Sequence, residues 1–454
     1  MKKTLIALMA LGAATGASAE GYQVNTISAR QEGMGGTGVA LRLGAESQLF
    51  NPAALVMSGG KMDISASLTA ISPHASAVHN GIKYTTDNDI STPMNVATSF
   101  RIFDRLYGGL IFYTPYGSGI NWGDHWPGAV LNQKVTIKVF TVQPTLSFKI
   151  LPNLSVGAGA MITWGNVDLD KGLVEGESMN RLMGAMGMPP QAMYAPSITP
   201  ASVNLSGNSA IAMGVNLGAM WDIDKHWTTG VSFRSKMTMT VKKGHAAVRY
   251  NGAAESMLSP VLDNLNSTNF RASLPCPYVL TFGAAYRPSD NVTIAFDAQL
   301  NGWRTYKWLN IEFAGLEAFD QHLRKNYHNA MTYHLGAEWA TTRRLSLRCG
   351  LIVDTNPCDI NNYNPETPGM TRILPSVGLS FCPVEGFNID FAFTYAQGLG
   401  TDNATGHYDN FAYKMAQNVN PELPGMLGFE PTGSFTADYK VHAFIPALGL
   451  RYSF

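Results

Sequence analysis

Charge is what this sequence has least of. Only 14% of its 454 residues are Asp, Glu, Lys or Arg, against roughly 25% in a soluble domain. The 32 basic and 32 acidic residues cancel, so no net field draws the chain to nucleic acid. A hydrophobic fraction of 45% with no net charge excludes disorder, which needs the reverse of both. Heptads and a Gly-X-Y period are missing, which excludes coiled coil and collagen. There are only four cysteines, which in an exported chain could form disulfides in three connectivities. The ten histidines include no H-E-x-x-H and no Cys–His spacing, and there is no G-x-S-x-G. His125 beside Asp124 reads as a polar loop pair. No enzymatic activity, cofactor or metal is expected.

Long apolar runs are scarce as well. Lys2 and Lys3, an apolar stretch from Leu5 to Ala14 and the small residues Ala17-Ser18-Ala19 form the pattern of a secretory signal peptide over residues 1–19. Beyond Ala19 no apolar run approaches the ~18 residues of a membrane helix. An exported chain with little charge and no membrane helix leaves two readings: a soluble exported protein, or an outer-membrane β-barrel.

What is abundant decides between them. The chain holds 45 Gly, 21 Phe and 18 Tyr, and they alternate. In Trp227–Val241 one face reads Trp227, Thr229, Val231, Phe233, Ser235, Met237, Met239, Val241. The other reads Thr228, Gly230, Ser232, Arg234, Lys236. Val292–Leu300 and Phe387–Tyr395 set Ile294, Phe296, Phe391 and Phe393 against Asp297, Gln299 and Asp390. Leu154–Trp164 and Ile211–Trp221 carry glycines on the small face. Lipid-facing apolar residues alternating with small or polar lumen residues are the signature of a membrane barrel. A sandwich would place more Lys and Glu on its polar face.

Turn residues count the strands. Short turns fall near Asp104-Arg105, Pro152-Asn153, Asp222–His226, Pro288–Asn291, Thr341–Arg344 and Pro383–Gly386. Longer connections lie at Ala75–Ser91, Gly117–Lys134, Asp168–Asn208, Lys242–Arg271, Leu309–Tyr327, Asp354–Thr371 and Gly398–Ala437. Barrels of this kind have short periplasmic turns and long outer loops. The alternation predicts an all-β, 14-stranded antiparallel transmembrane β-barrel over residues 61–454. Its last strand, His442–Phe454, ends on an aromatic residue. That resembles the signal read by the barrel assembly machinery.

Residues 20–60 are too polar and glycine-rich for wall, and are expected to form a hatch plugging the lumen. Gly33-Met34-Gly35-Gly36-Thr37-Gly38 matches a dinucleotide fingerprint in form, but it lacks the strand and helix that give the fingerprint meaning. In Phe50-Asn51-Pro52-Ala53, Pro52 makes a rigid bend. Parity puts Cys349 toward lipid and Cys382 toward the lumen. Cys276–Cys358 is an open disulfide pairing near the outer rim.

Gly21-Tyr22-Gln23-Val24-Asn25 and Phe50-Asn51-Pro52-Ala53 resemble the N-terminal hatch of the outer-membrane long-chain fatty acid transporters, the FadL (OmpP1, toluene/xylene transport) family. Asp104-Arg105-Leu106, Thr114-Pro115-Tyr116-Gly117, Trp126-Pro127-Gly128, Phe233-Arg234-Ser235-Lys236, Asn301-Gly302-Trp303-Arg304, Asp354-Thr355-Asn356-Pro357 and Arg372-Ile373 are similar to further family blocks, in order. The resemblance implies a monomeric passive transporter in the outer membrane of a Gram-negative-type bacterium, with hydrophobic small molecules and outer-membrane lipid as partners. Long-chain fatty acids lead as cargo, ahead of aromatic hydrocarbons or other lipids. An outer-membrane hydrolase and a surface adhesin are the competing classes.

Each step of such transport has candidate residues. Capture needs apolar outer surface. Met179, Leu182, Met183, Met186, Met188, Met193 and Tyr194 in the third long loop supply it, with Met257, Leu258, Val261, Leu262 and Leu265 in the fourth, partly at helical spacing. These helices could equally pack on each other as a lid. Arg234, Lys236 and His328 are candidate contacts for a carboxylate, or partners for lumen carboxylates such as Asp297 and Asp390. At position 328 the family pattern leads one to expect Lys. Pro115, Gly117 and Gly119 mark either a strand end or an inward kink that opens the wall. The resemblance favours the kink. Asn51, Pro52 and Ala53 are the candidate gate.

Overall fold

The computed structural model describes residues 21–454 except 186, 188–192 and 196. The leader and Met186 therefore lie outside the described residues. Among the described residues no helix is long and apolar enough to cross a membrane.

Fourteen strands close into a ring, numbered here in chain order. They are β1 Met62–Thr69, β2 Met94–Phe103, β3 Leu106–Asn121, β4 Lys134–Leu151 and β5 Leu154–Val174. Next come β6 Ala212–Asp222, β7 Trp227–Arg234, β8 Val279–Ser289, β9 Val292–Asn301 and β10 Ala330–Ala340. The last are β11 Leu345–Asp354, β12 Arg372–Val384, β13 Phe387–Gly398 and β14 Thr432–Ser453. Each pairs antiparallel with its sequence neighbour in the wall, and β14 returns to β1 with Tyr452 opposite Ile64. Six short turns and seven long connections join them in the expected order, but the fourth long connection begins at Ser235 and not at Lys242.

The alternation is that of a wall between lipid and lumen. On β9, Ile294 and Phe296 are exposed outward while Asp297 is buried. On β13, Phe391 and Phe393 face out and Asp390 is buried. One stretch departs from the predicted parity. Trp227–Val241 is not a single strand: β7 ends at Arg234, and Met237–Tyr250 is a separate strand pairing with Ala201–Asn208 and Asn269–Cys276. The break at Ser235-Lys236 resets the phase. Met237, Met239 and Val241, expected on lipid, are buried inside, and Lys236, expected in the lumen, is exposed.

Several strands overshoot the bilayer. A tilted strand crosses it in about 9–11 residues, yet β4 has 18, β5 has 21 and β14 has 22. With Ala201–Asn208, Met237–Tyr250, Asn269–Cys276 and Trp308–Phe313 they raise a funnel on the long-loop side. Two helices, Gly176–Ala185 and Ala254–Leu262, cap it.

Inside the ring lies the N-terminal segment, whose regular structure among the described residues is three short α-helices, Ala29–Glu32, Ser47–Phe50 and Ala54–Ser58, and one 3-10 turn, Gly44–Glu46. So irregular a backbone needs partners for its amides, and inward side chains of the wall supply them. Asp297 accepts from Gly38 N (2.7 Å) and Val39 N (3.1 Å). Ser67 Oγ accepts from Ala29 N (2.7 Å), and Asp63 from Ala45 N (2.7 Å). Ser147 and Ser155 donate to the Ala53 carbonyl at 3.0 and 2.9 Å. Between these anchors the hatch backbone touches glycines. An added Cβ on Gly157 would stand 2.4 Å from Pro52 C, and one on Gly350 would stand 2.0 Å from Gly35 N. The Gly33–Gly38 run is thus a turn, with Gly35 and Gly36 at positive φ, pressed against β10 and β11.

Gly218→Val tests this fit, since a Cβ there would lie 2.0 Å from Asn51 Oδ1. The barrel should keep its heat-modifiable mobility on a gel. The hatch should lose about 1–3 kcal/mol of docking free energy, and residues 21–60 should become open to added protease. Undiminished protection would contradict the fit.

Candidate functional site

Inward rows of the funnel strands line an apolar cavity. The i, i+2 spacing of a strand builds it: Val135, Ile137 and Val139 from β4, Val167 and Leu169 from β5, Met239 and Val241, then Phe270, Ala272 and Leu274. Its lower end is aromatic. Tyr22 of the hatch meets Trp303 edge-on at 5.1 Å and Tyr306 at 6.0 Å, and its hydroxyl donates to the Pro275 carbonyl. Four polar side chains, Asn166, Ser209, Glu366 and Thr367, also reach the lining. Glu366 is ion-paired with Lys325, which is buried. Below the Tyr22 segment lies a polar cavity lined by Arg234, Asp297, Gln299 and His334 of the wall and Val24, Asn25 and Phe50 of the hatch.

One inward row continues upward. On β5, Leu169 lines the apolar cavity, Lys171 follows on the same face, and Leu173 comes next. Lys171 is buried, and its Nζ donates to the neutral amide oxygen of Gln321 at 2.8 Å. Among the described residues it has no ion pair. It borders a second cavity with Phe319, Tyr408, Phe411 and Lys414, and Lys414 is held by Asp409 at 3.0 Å.

The structure sorts the predicted site residues. Met183, Leu258 and Leu262 are buried in the apolar core around the cavity, but none lines it, and neither do Met193, Tyr194 or Met257. The helices spend their apolar faces on packing. Tyr194 OH accepts from Ala254 N at 2.9 Å and so ties the third loop to the fourth. Arg234 lines the lower, polar cavity, not the apolar one. His328 is exposed; the buried cation nearby is Lys325, three residues earlier, because the pairing of Trp308–Phe313 with Gln321–Arg324 turns position 325 inward. All four cysteines are free, so Cys276 and Cys358 are not bridged.

Asn51, Pro52 and Ala53 dock on β4–β7: Asn51 Nδ2 donates to the carbonyls of Val39 (2.8 Å) and Ala219 (3.0 Å). At Pro115 strand β3 does not end. It bulges between Tyr113 and Tyr116 and continues to Asn121. Tyr113 to Ser118 are all buried, so both faces of the strand are covered there. Beyond Tyr113 it leaves β2, and the hatch takes the vacated edge: Val24 N donates to Pro115 O (2.9 Å), and Gly117 N to Tyr22 O (2.8 Å).

A barrel with an internal hatch and an apolar cavity above it suits carriage of hydrophobic compounds. Residues 10–454 match the profile of the outer membrane protein transport protein family, OMPP1/FadL/TodX. The chain belongs to this family. It is an outer-membrane protein of a family that transports hydrophobic compounds. Outer membrane protein P1 of Haemophilus influenzae is 21% identical, with 100% of each chain covered. The crystal structure of a Pseudomonas aeruginosa FadL homologue superposes with a TM-score of 0.76 at 18% identity, covering 96% of this chain and 100% of that one. The Pseudomonas putida toluene transporter TodX gives 0.68 at 13% identity, covering 95% and 99%.

For this FadL-type barrel, the residues that the sequence reading left without a role are Tyr22, Lys171, Lys325 and Glu366. Lys171 was within reach of the pattern, since extending the β5 alternation from Gly157 and Gly159 puts it inward. The Lys325–Glu366 pair joins residues 41 positions apart, which no local pattern carries.

The hatch also holds an unusual carboxyl. Glu32 is buried with one oxygen bonded to Thr69 and the other without a hydrogen-bond partner. Burial, with the nearby Glu46 adding to it, pushes its pKa from 4.5 up to about 8. The docked hatch therefore keeps a proton that a solvated one loses. Docking should weaken as pH rises from about 4.5 to about 8, by up to tenfold per unit, and no further above that. The protection of amides 29–36, meaning their exchange relative to the intrinsic rate at each pH, should fall across this window in the native chain and fall less steeply in Glu32→Gln, where buried Glu46 still titrates upward.

Proposed function

We propose that the protein takes up long-chain fatty acids, holding the hydrocarbon chain in the apolar cavity and the carboxylate at Lys171. The observation that carries this is the buried ammonium one step above the cavity on the same inward row. An ammonium taken out of water with only a neutral partner is costly. A ligand carboxylate would remove that cost through a charge-assisted bond. The row places the charge about 7 Å above Leu169, so the cargo would bind tail-down, toward the hatch.

Entry from the outer side would pass the loop helices, whose methionines can repack around varied chains. Exit is gated by Gly21–Asn25, which floors the cavity through Tyr22 and holds the free edge of β3. Displacing that segment would open two routes: downward past Asn51-Pro52-Ala53, or sideways at Pro115–Gly119. The Lys325–Glu366 pair favours a second reading. It neutralises the charge at the cavity floor, which suits an uncharged aromatic hydrocarbon.

Lys171→Met separates the two. Fatty-acid affinity, measured by displacement of a fluorescent fatty acid from purified barrel, should fall 10-fold or more. Affinity for toluene should stay within twofold. Equal fatty-acid binding by native and variant barrels would sink the carboxylate assignment. Binding of toluene alone by the native barrel would establish the second reading.

A further inference from the structure

The outward face of the wall carries a feature unrelated to the lumen. On β14 the lipid-facing row reads Tyr452, Leu450, Leu448, Pro446, Phe444, all of them exposed. From Tyr452 to Phe444 is nine residues, enough for one tilted crossing. The apolar row of β13 likewise runs from Phe387 to Tyr395 and meets Phe444 at 5.4 Å. Immediately beyond, on the long-loop side, the row turns basic with His442 and Lys440.

The next strand supplies the rest. Ser72–His79 pairs with β14 so that His74 stands opposite His442 and Ser76 opposite Lys440. The two imidazoles stack at 5.0 Å, 5° from parallel, and Phe444 meets both edge-on. Lys83, opposite Val78 in the adjoining Ile82–Thr85 strand, completes the group. Among the described residues none of these four has an ion pair. The carboxylate on the same row, Asp438, is occupied by the backbone amide of Asn403 at 2.7 Å. The stacked imidazoles and two lysines gather more positive charge than Asp438, their one carboxylate neighbour on this row, can offset, so a multivalent anion is the partner that stabilises them.

We propose that His74, Lys83, Lys440 and His442 bind a phosphate carried on a lipid headgroup of the outer leaflet. The height of the group fixes the source, because it faces outward where the hydrocarbon ends. An anion there is attached to a lipid whose chains lie against Phe444 and Leu448. The anchored lipid would brace the wall where β14 closes the ring.

Native mass spectrometry of the purified barrel in an uncharged maltoside detergent tests this. Bisphosphorylated lipid A should be retained at 10-fold lower concentration than its dephosphorylated form. The quadruple variant H74A/K83Q/K440Q/H442A should lose that preference while keeping heat-modifiable mobility. A control variant, K242Q/K243Q, should retain it. Equal retention of the two lipids by the native chain overturns the proposal, as does an unchanged preference in the quadruple variant. Displacement of the lipid by equimolar inorganic phosphate would overturn the lipid as the source.

Discussion

An irregular backbone inside a barrel has to find a partner for every amide and carbonyl, and the rest of this structure depends on how the wall meets that demand. The hatch cannot satisfy itself, because its helices are four and five residues long. Short polar side chains on the inner wall do it instead: Ser67, Asp63, Ser147, Ser155 and Asp297. They reach hatch atoms only because glycines elsewhere on the wall let the backbones approach. Glycine and hydroxyl residues on the lumen face are therefore two halves of one device.

The same device sets where cargo can sit. The lumen at bilayer height is filled by hatch, so the apolar cavity lies above it, in strands that continue past the membrane. Its floor is a hatch residue, Tyr22, and the same segment occupies the β3 edge at Pro115 and Gly117. The cavity floor and the partner of the β3 edge are thus one hatch segment, Gly21–Asn25.

Charge, scarce in this chain, is placed accordingly. Outward-facing strands need almost none. Inside, charges are paired where the wall is dry, as in Arg348 with Glu338 and Asp390 at 2.6 and 2.8 Å. Lys171 departs from this rule at the upper end of the cavity. At the outer rim, basic residues begin where the aromatic row stops.

The strand count, the alternation of short and long connections and the fold class were legible in the sequence, because a wall between lipid and lumen imposes a period of two and a regular alternation of turns. The hatch was legible from its composition. Two things were not. The phase reset at Ser235-Lys236 depends on new partner strands, Ala201–Asn208 and Asn269–Cys276, whose pairing no local window contains. It moved Met239 and Val241 from lipid to cavity and Lys236 from lumen to solvent. The cavity itself is assembled from rows on several strands and one hatch tyrosine, and its charges meet across 41 and 150 positions of chain. Periodicity is a local property and the sequence alone determined everything that follows from it. Which inward residues converge, and which cation keeps a neutral partner, was decided by the closure of the ring.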